Sequence, residues 1–181
     1  LLEALARRLG PAMAVIEGDL QTDRDAERIR KAGVRAVQIE TEGSCHLDAK
    51  RVGIALEQLN IAPGQVQFLI IENVGNLVCP AGFDLGEHAK IGLLSIPEGD
   101  DKVLKYPSIF WLIQALLLSK IDLLPYLPFD CERAINECRM LNADVNAFQV
   151  SAHTGEGMEL FCDYLHATHN SLVNDSTTAT H

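Results

Sequence analysis

Ala115-Leu116-Leu117-Leu118, followed at once by Ser119-Lys120-Ile121-Asp122, is the stretch that decides the fold class of this 181-residue chain. Four apolar residues with no polar alternation make a strand-length run, and a strand apolar on both faces belongs inside a parallel sheet. The polar turn behind it marks where the strand emerges. Working outward, short runs of the same kind recur at residues 13–17, 36–40, 67–71, 91–96 and 147–150. Amphipathic stretches at 22–32, 48–59, 130–141 and 157–168 read as helices between them. Thr22 and Asp25 have capping-box spacing at the first of these. This alternation predicts an α/β fold, a doubly wound, mostly parallel sheet with helices on both faces. No repeat or linker divides it. Residues 1–169 therefore read as one domain, and residues 170–181 (NSLVNDSTTATH), with little to pack, as a disordered tail.

Composition narrows the function classes. The net charge of −10 removes the basic face that a nucleic-acid binder needs, so no nucleic-acid partner is expected. No apolar run approaches the ~18–20 residues of a membrane span. The opening residues 1–10 read as an Arg-containing amphipathic helix, not an export leader. Leu1, Leu5 and Leu9 share one face of it and Gly10 stops it, but nothing supplies an N-cap. It reads as a helix whose start lies upstream, the alternative being a frayed N-terminal helix. Five cysteines, an odd count without an export signal, point to a reducing compartment and a cytoplasmic protein.

In a doubly wound sheet, ligands bind beyond the carboxyl ends of the strands. Ser119-Lys120-Ile121-Asp122 is similar there to the [NT]KxD guanine-recognition motif of GTPases, with Ser119 in place of the usual Asn. In that reading Asp122 accepts from the ring N–H and exocyclic amine of guanine, and the Lys120 stem packs along the base. Ser151-Ala152, in the loop Val150-Ser151-Ala152-His153-Thr154-Gly155-Glu156-Gly157, would bring a backbone N–H to the guanine oxygen. Alone, SKxD reads more readily as a solvated loop; paired with the Ser-Ala loop one helix and one strand later, it points to GTP. The phosphate cradle G-x-x-x-x-G-K-[ST] is missing, since none of the six lysines follows a glycine. Either the chain is no nucleotide hydrolase, or the cradle lies just ahead of Leu1, where it would cap the first helix. Asp19 at a strand end is a candidate Mg²⁺ ligand, and Asp25 a second whose capping role competes. Glu72, in Glu72-Asn73-Val74-Gly75, occupies the place of a DxxG switch or is simply a polar strand end. These three carboxylates form the candidate catalytic set.

A second chemistry rests on Cys45-His46 and Cys79. Soft thiolate with borderline imidazole favours Zn²⁺ or Ni²⁺ over Mg²⁺ or Ca²⁺. Both segments are loops, where adjacent side chains can aim at one ion. Three ligands leave a tetrahedral shell incomplete, so the site either keeps an exchangeable position or is shared across a two-fold. Cys131 and Cys138 on one helix face, and Cys162 among Leu160, Phe161 and Leu165, read as packed thiols. His88 could support the Cys79 loop.

Three segments carry a family resemblance: Gly18-Asp19-Leu20-Gln21-Thr22 with Asp25-Ala26, then Cys45-His46-Leu47-Asp48-Ala49, then the long run from Ile71-Glu72-Asn73-Val74-Gly75 through Cys79-Pro80-Ala81-Gly82-Phe83 to Glu87. With Tyr106-Pro107 and Lys120-Ile121-Asp122-Leu123-Leu124-Pro125-Tyr126, they closely resemble the HypB-type nickel-insertion GTPases of hydrogenase maturation, over residues 1 to about 165. The resemblance implies a P-loop GTPase-like fold of the SIMIBI type and GTP-promoted homodimerisation. It also implies nickel or zinc at the dimer face on Cys45, His46 and Cys79, and guanine read by Lys120 and Asp122. The implied partners are a hydrogenase nickel-accessory protein and the hydrogenase large subunit. Hydrolysis is expected of a longer form that carries the cradle, and the present chain is expected to be inactive by itself. Two rivals stand beside this: a metal-binding or interaction module that hydrolyses no nucleotide, and the related urease-accessory GTPase. The latter pairs Cys with His across a proline, whereas Ala81 follows Pro80 here.

Overall fold

The computed structural model describes residues 1–19, 24–40 and 45–178, without the side chains of residues 19, 24, 25 and 176–178. Helix α1 (Leu2–Leu9) buries Ala4, Leu5, Ala6 and Leu9 and has no side-chain N-cap. It ends at Gly10, whose φ of 54° suits a residue without Cβ. Strand β1 (Met13–Asp19) follows, then α2 (Arg24–Lys31), β2 (Arg35–Glu40), α3 (Ala49–Leu59) and β3 (Phe68–Glu72). Beyond a long connection come β4 (Ile91–Ser95), the short helices α4 (Lys102–Lys105) and α5 (Pro107–Leu112), and β5 (Ala115–Ser119). The chain closes with α6 (Cys131–Leu141), β6 (Asn146–Val150) and α7 (Met158–Thr178). All six expected strands and the four expected helices occur, each strand within two residues of its expected bounds. Capping by Thr22 falls outside the described residues.

Every ladder is parallel. β1 pairs with β2 and β3, β5 pairs with β4 and β6, and all five residues of β5 are buried. The strands form two three-stranded sheets, β2-β1-β3 and β4-β5-β6, where the sequence suggests one. The β3–β4 connection, residues 73–90, holds a 3₁₀ turn at Cys79–Gly82 and no α-helix. One core nevertheless spans both sheets. Met13, Val15 and Phe68 pack in the same cluster as Ala115, Leu117 and Val150, under Leu5 and Leu9 of α1 and Phe161 and Leu165 of α7. Alternation sends Ile16 to a cluster with Leu47, Val52, Ala55 and Leu59, and Leu116 and Leu118 to one with Phe110, Ile113, Ala134 and Cys138. Helices thus cover both faces.

Two differences from expectation have local causes. α4 and α5 are too short to show a helical period, and α5 starts on Pro107 at its first turn, where the missing N–H is harmless. α7 continues ten residues past the expected end at Thr168, so residues 170–178 have helical backbone where no element was expected. No Gly or Pro stands within it to stop it. The side chains of residues 170–175 are exposed. Among the described residues, no helix is long and apolar enough to cross a membrane.

Gly157 turns the chain from β6 into α7 at a φ of 70°, and a Cβ there would overlap the Gln149 carbonyl oxygen. Gly157→Ala is expected to destabilise the fold by roughly 2 kcal/mol or more, the left-handed penalty plus the backbone clash. A urea midpoint unchanged from that of the unaltered chain would contradict this.

Candidate nucleotide and metal site

Pairing of Ser119 with Val150 sets the ends of β5 and β6 side by side, so the turns that follow them are neighbours. Lys120 adopts the left-handed region (φ 61°, ψ 40°), an uncommon setting for a residue with Cβ, and a 3₁₀ turn over Ile121–Tyr126 follows. Its side chain is exposed, and Asp122 is half-buried. Ser151 is fully buried and joins the two turns. Its Oγ donates to Asp122 Oδ1 at 2.5 Å and accepts from the amides of His153 (3.2 Å) and Thr154 (3.1 Å). A hydroxyl–carboxylate bond this short has the length of a charge-assisted one. The Ser151 N–H is committed to the Glu156 carbonyl at 2.9 Å, which leaves exposed Ala152 as the backbone at the lip of the loop. Ser151 thus holds Asp122 in place and offers no backbone donor of its own.

The three expected metal ligands lie on two loops held by other residues. Leu47 is buried with Ile16, Val52 and Ala55. Its side chain lies so close to β1 that a Cβ on Gly18 would stand 2.7 Å from Leu47 Cγ. The Leu47 N–H donates to Asn73 Oδ1 at 2.9 Å, directly after Cys45 and His46. The His46 ring stacks on Phe83, with centroids 3.7 Å apart and planes at 17°. Cys45 Sγ lies 3.6 Å from His46 Nδ1. On the second loop, Asn76 Oδ1 accepts from the amides of Val78 (2.8 Å) and Cys79 (3.1 Å), and Asn76 Nδ2 donates to Cys79 Sγ at 3.6 Å. The nearby Cys45 thiol pushes the Cys79 pKa above its ordinary value. Cys45 thus lies beside His46, yet among the described residues no three His, Cys, Asp or Glu side chains, these three included, are grouped so as to hold a metal ion. The donor types, two thiols and an imidazole, suit a soft or borderline ion.

The remaining candidates divide. Glu72 ends β3 and is exposed. Asp19 ends β1 opposite Glu40, and Asp25 lies on α2, but the side chains of both fall outside the described residues. His88 is exposed on a groove of about 530 Å³ that Phe83, Glu87 and Lys90 also line. There Lys90 Nζ pairs with Glu87 at 3.1 Å and donates to the Phe83 carbonyl at 3.0 Å. Burial pushes the Cys138 thiol up to about 11 and raises Cys131 and Cys162 as well, in keeping with packed thiols. The sequence reading assigned no part to Gly18, Asn73, Asn76 or Phe83 in the site. Their signal is a contact across loops, which spacing along one chain does not carry.

A parallel α/β domain whose strand ends carry a Lys-x-Asp turn clamped by a buried serine, with a thiol–imidazole group on neighbouring loops, defines a class of nucleotide-binding domain that also offers soft metal donors. The family model described as CobW/HypB/UreG, nucleotide-binding domain, matches residues 1–149. The chain is 55% identical over 157 residues to the hydrogenase maturation factor HypB of Azotobacter vinelandii, covering 87% of this chain and 50% of that protein. It is 43% identical to the hydrogenase/urease maturation factor HypB of Helicobacter hepaticus, covering 91% and 69%. The crystal structure of Helicobacter pylori HypB in complex with nickel matches with a TM-score of 0.88 and 42% identity, over 94% of this chain and 80% of that one. The chain belongs to the CobW/HypB/UreG nucleotide-binding family and, within it, to the HypB hydrogenase maturation factors. It spans about half the length of the Azotobacter vinelandii relative.

Coordination of a metal by Cys45 and Cys79 would displace thiol protons, and the raised Cys79 pKa would make protons compete at neutral pH. Zn²⁺ and Ni²⁺ affinity is expected to rise with pH, by up to about tenfold per unit for each proton released. A titration giving the same affinity across about pH 6 to pH 8 would exclude thiol coordination.

Proposed function

We propose that this chain is the base-reading and metal-carrying part of a GTP-dependent nickel-insertion protein of [NiFe] hydrogenase maturation. Lys120 and Asp122 read guanine, Ser151 holds the Asp122 carboxylate at its angle, and the Ala152 N–H meets the guanine oxygen. Asp19 and Asp25 are the residues that would hold Mg²⁺, which would offset phosphate charge. Glu72, at the end of β3, would be the residue that follows the terminal phosphate. Cys45, His46 and Cys79 carry Ni²⁺ or Zn²⁺ as cargo, and a second copy or an exchangeable ligand completes the shell. In this reading GTP promotes a homodimer, and hydrolysis takes place in a form that also carries a phosphate cradle. The metal passes in the cytoplasm between a nickel-accessory protein and the hydrogenase large subunit.

The observation that carries the reading is the placement of both groups, each beyond the carboxyl end of a parallel strand. Lys120 and Ser151 follow β5 and β6, while Cys45 and Cys79 follow β2 and β3. Similarity to hydrogenase maturation factors supports the pathway, and similarity to the nickel complex of the Helicobacter pylori protein supports the metal.

The test of base reading is Asp122→Asn in a form with a cradle ahead of Leu1. An amide trades an acceptor for a donor, which suits the extra oxygen of xanthine and loses a guanine bond. Guanine binding is expected to weaken by about 1–3 kcal/mol while xanthine nucleotides gain. Unchanged preference for GDP over XDP in competition would remove Asp122 from the base site. In the same form, Ser151→Ala should weaken guanine binding without a gain for xanthine, because it frees the carboxylate and leaves its charge intact. A switch to xanthine in Ser151→Ala would contradict the clamp.

A further inference from the structure

We propose that Asn73 is the positioning residue of the metal site, the tie that sets Cys45 and His46 against Cys79. This rests on the reading of those three residues as the metal ligands. They come from two connections, β2–α3 and β3–β4, and coordination tolerates only a few tenths of an ångström in ligand distance. Something other than the ion must hold the loops in register when no ion is bound. Asn73 Oδ1 accepts from the Leu47 N–H (2.9 Å) on one connection and from the Val74 N–H (2.9 Å) on the other. Both partners are donors, so the oxygen of the amide, not its nitrogen, must face them.

The tie meets firm ground on each side. Leu47, next to His46, is locked by burial beside Val52 and Ala55 and by its close contact with Gly18. On the other side Asn76 closes the turn that presents Cys79. Phe83, from the same connection as Asn73, fixes the plane of the His46 ring. Asn73 lies directly after Glu72, so the tie is fastened where β3 ends. An asparagine here touches no ion; it acts through the ligands it aligns.

The experiment is Ni²⁺ titration of the 181-residue chain, read by thiolate-to-nickel absorption, with far-UV circular dichroism and urea midpoints alongside. Asn73→Ala is expected to weaken Ni²⁺ binding by about tenfold or more, the usual cost of losing a group that orients a ligand, and to shift the absorption band. Asn73→Asp keeps an acceptor oxygen and should recover both affinity and band. The comparison is made in about 0.5 M salt, where screening over about 4–5 Å limits the effect of the added charge. A folded Asn73→Ala chain that binds Ni²⁺ as tightly as the unaltered chain, with the same band, overturns the proposal. So does a folded Asn73→Asp chain no better than Asn73→Ala; should the alanine variant fail to fold, an Asn73→Asp chain that folds yet loses the nickel band overturns it as well. A Cys45→Ala arm separates the two readings. If it keeps nickel, the ligand assignment falls and the tie with it; if it loses nickel while Asn73→Ala retains it, only the tie falls.

Discussion

Burial of β1 and β5 between parallel neighbours is the constraint on which the rest of this molecule depends. A parallel pair cannot be joined by a tight hairpin, so the chain must cross back over the sheet before each new strand. Every strand in a ladder then leaves at the same end. Fully buried Leu116, Leu117 and Leu118 of β5 supply the hold, at roughly 1.5–3 kcal/mol for each large side chain removed from water. Ser119 and the turns behind β5 and β6 inherit their placement from that register.

The two groups at the strand ends are restrained in different ways. The proposed base-reading turns follow adjacent, hydrogen-bonded strands, and a single buried hydroxyl gathers the Asp122 carboxylate and two amides. Little there can move without breaking several bonds together. The thiol–imidazole group is spread over two connections, stacked on Phe83 and tied through asparagine side chains, with Cys45 exposed. A structural zinc site is normally closed by four protein ligands. Among the described residues no such closed set is present.

Much of this was legible in the sequence because the signals are local. The strands announce themselves as unbroken apolar runs, and α3 and α6 begin on aspartates that cap them. The Lys120–Asp122 turn and the Cys45-His46 pair stand out as polar residues behind such runs. The break between β3 and β4 was not legible. Periodicity reveals that a strand exists and says nothing of its partner. The extension of α7 is hidden because its polar composition resembles a tail, and the absence of Gly or Pro is a weaker signal than an apolar stripe.

By itself the sequence determined the α/β class and the order of the elements, and it singled out the residues proposed to read guanine and to carry metal. Each of those depends on residue type and on spacing within one segment. Only the tertiary structure decided that Ser151 grips Asp122, that the His46 ring stacks on Phe83, and that Leu47 lies on Gly18. It alone gave Asn73 and Phe83 a part in the site. These contacts join residues from different connections, and their geometry exists only once the parallel strands have brought the loops together.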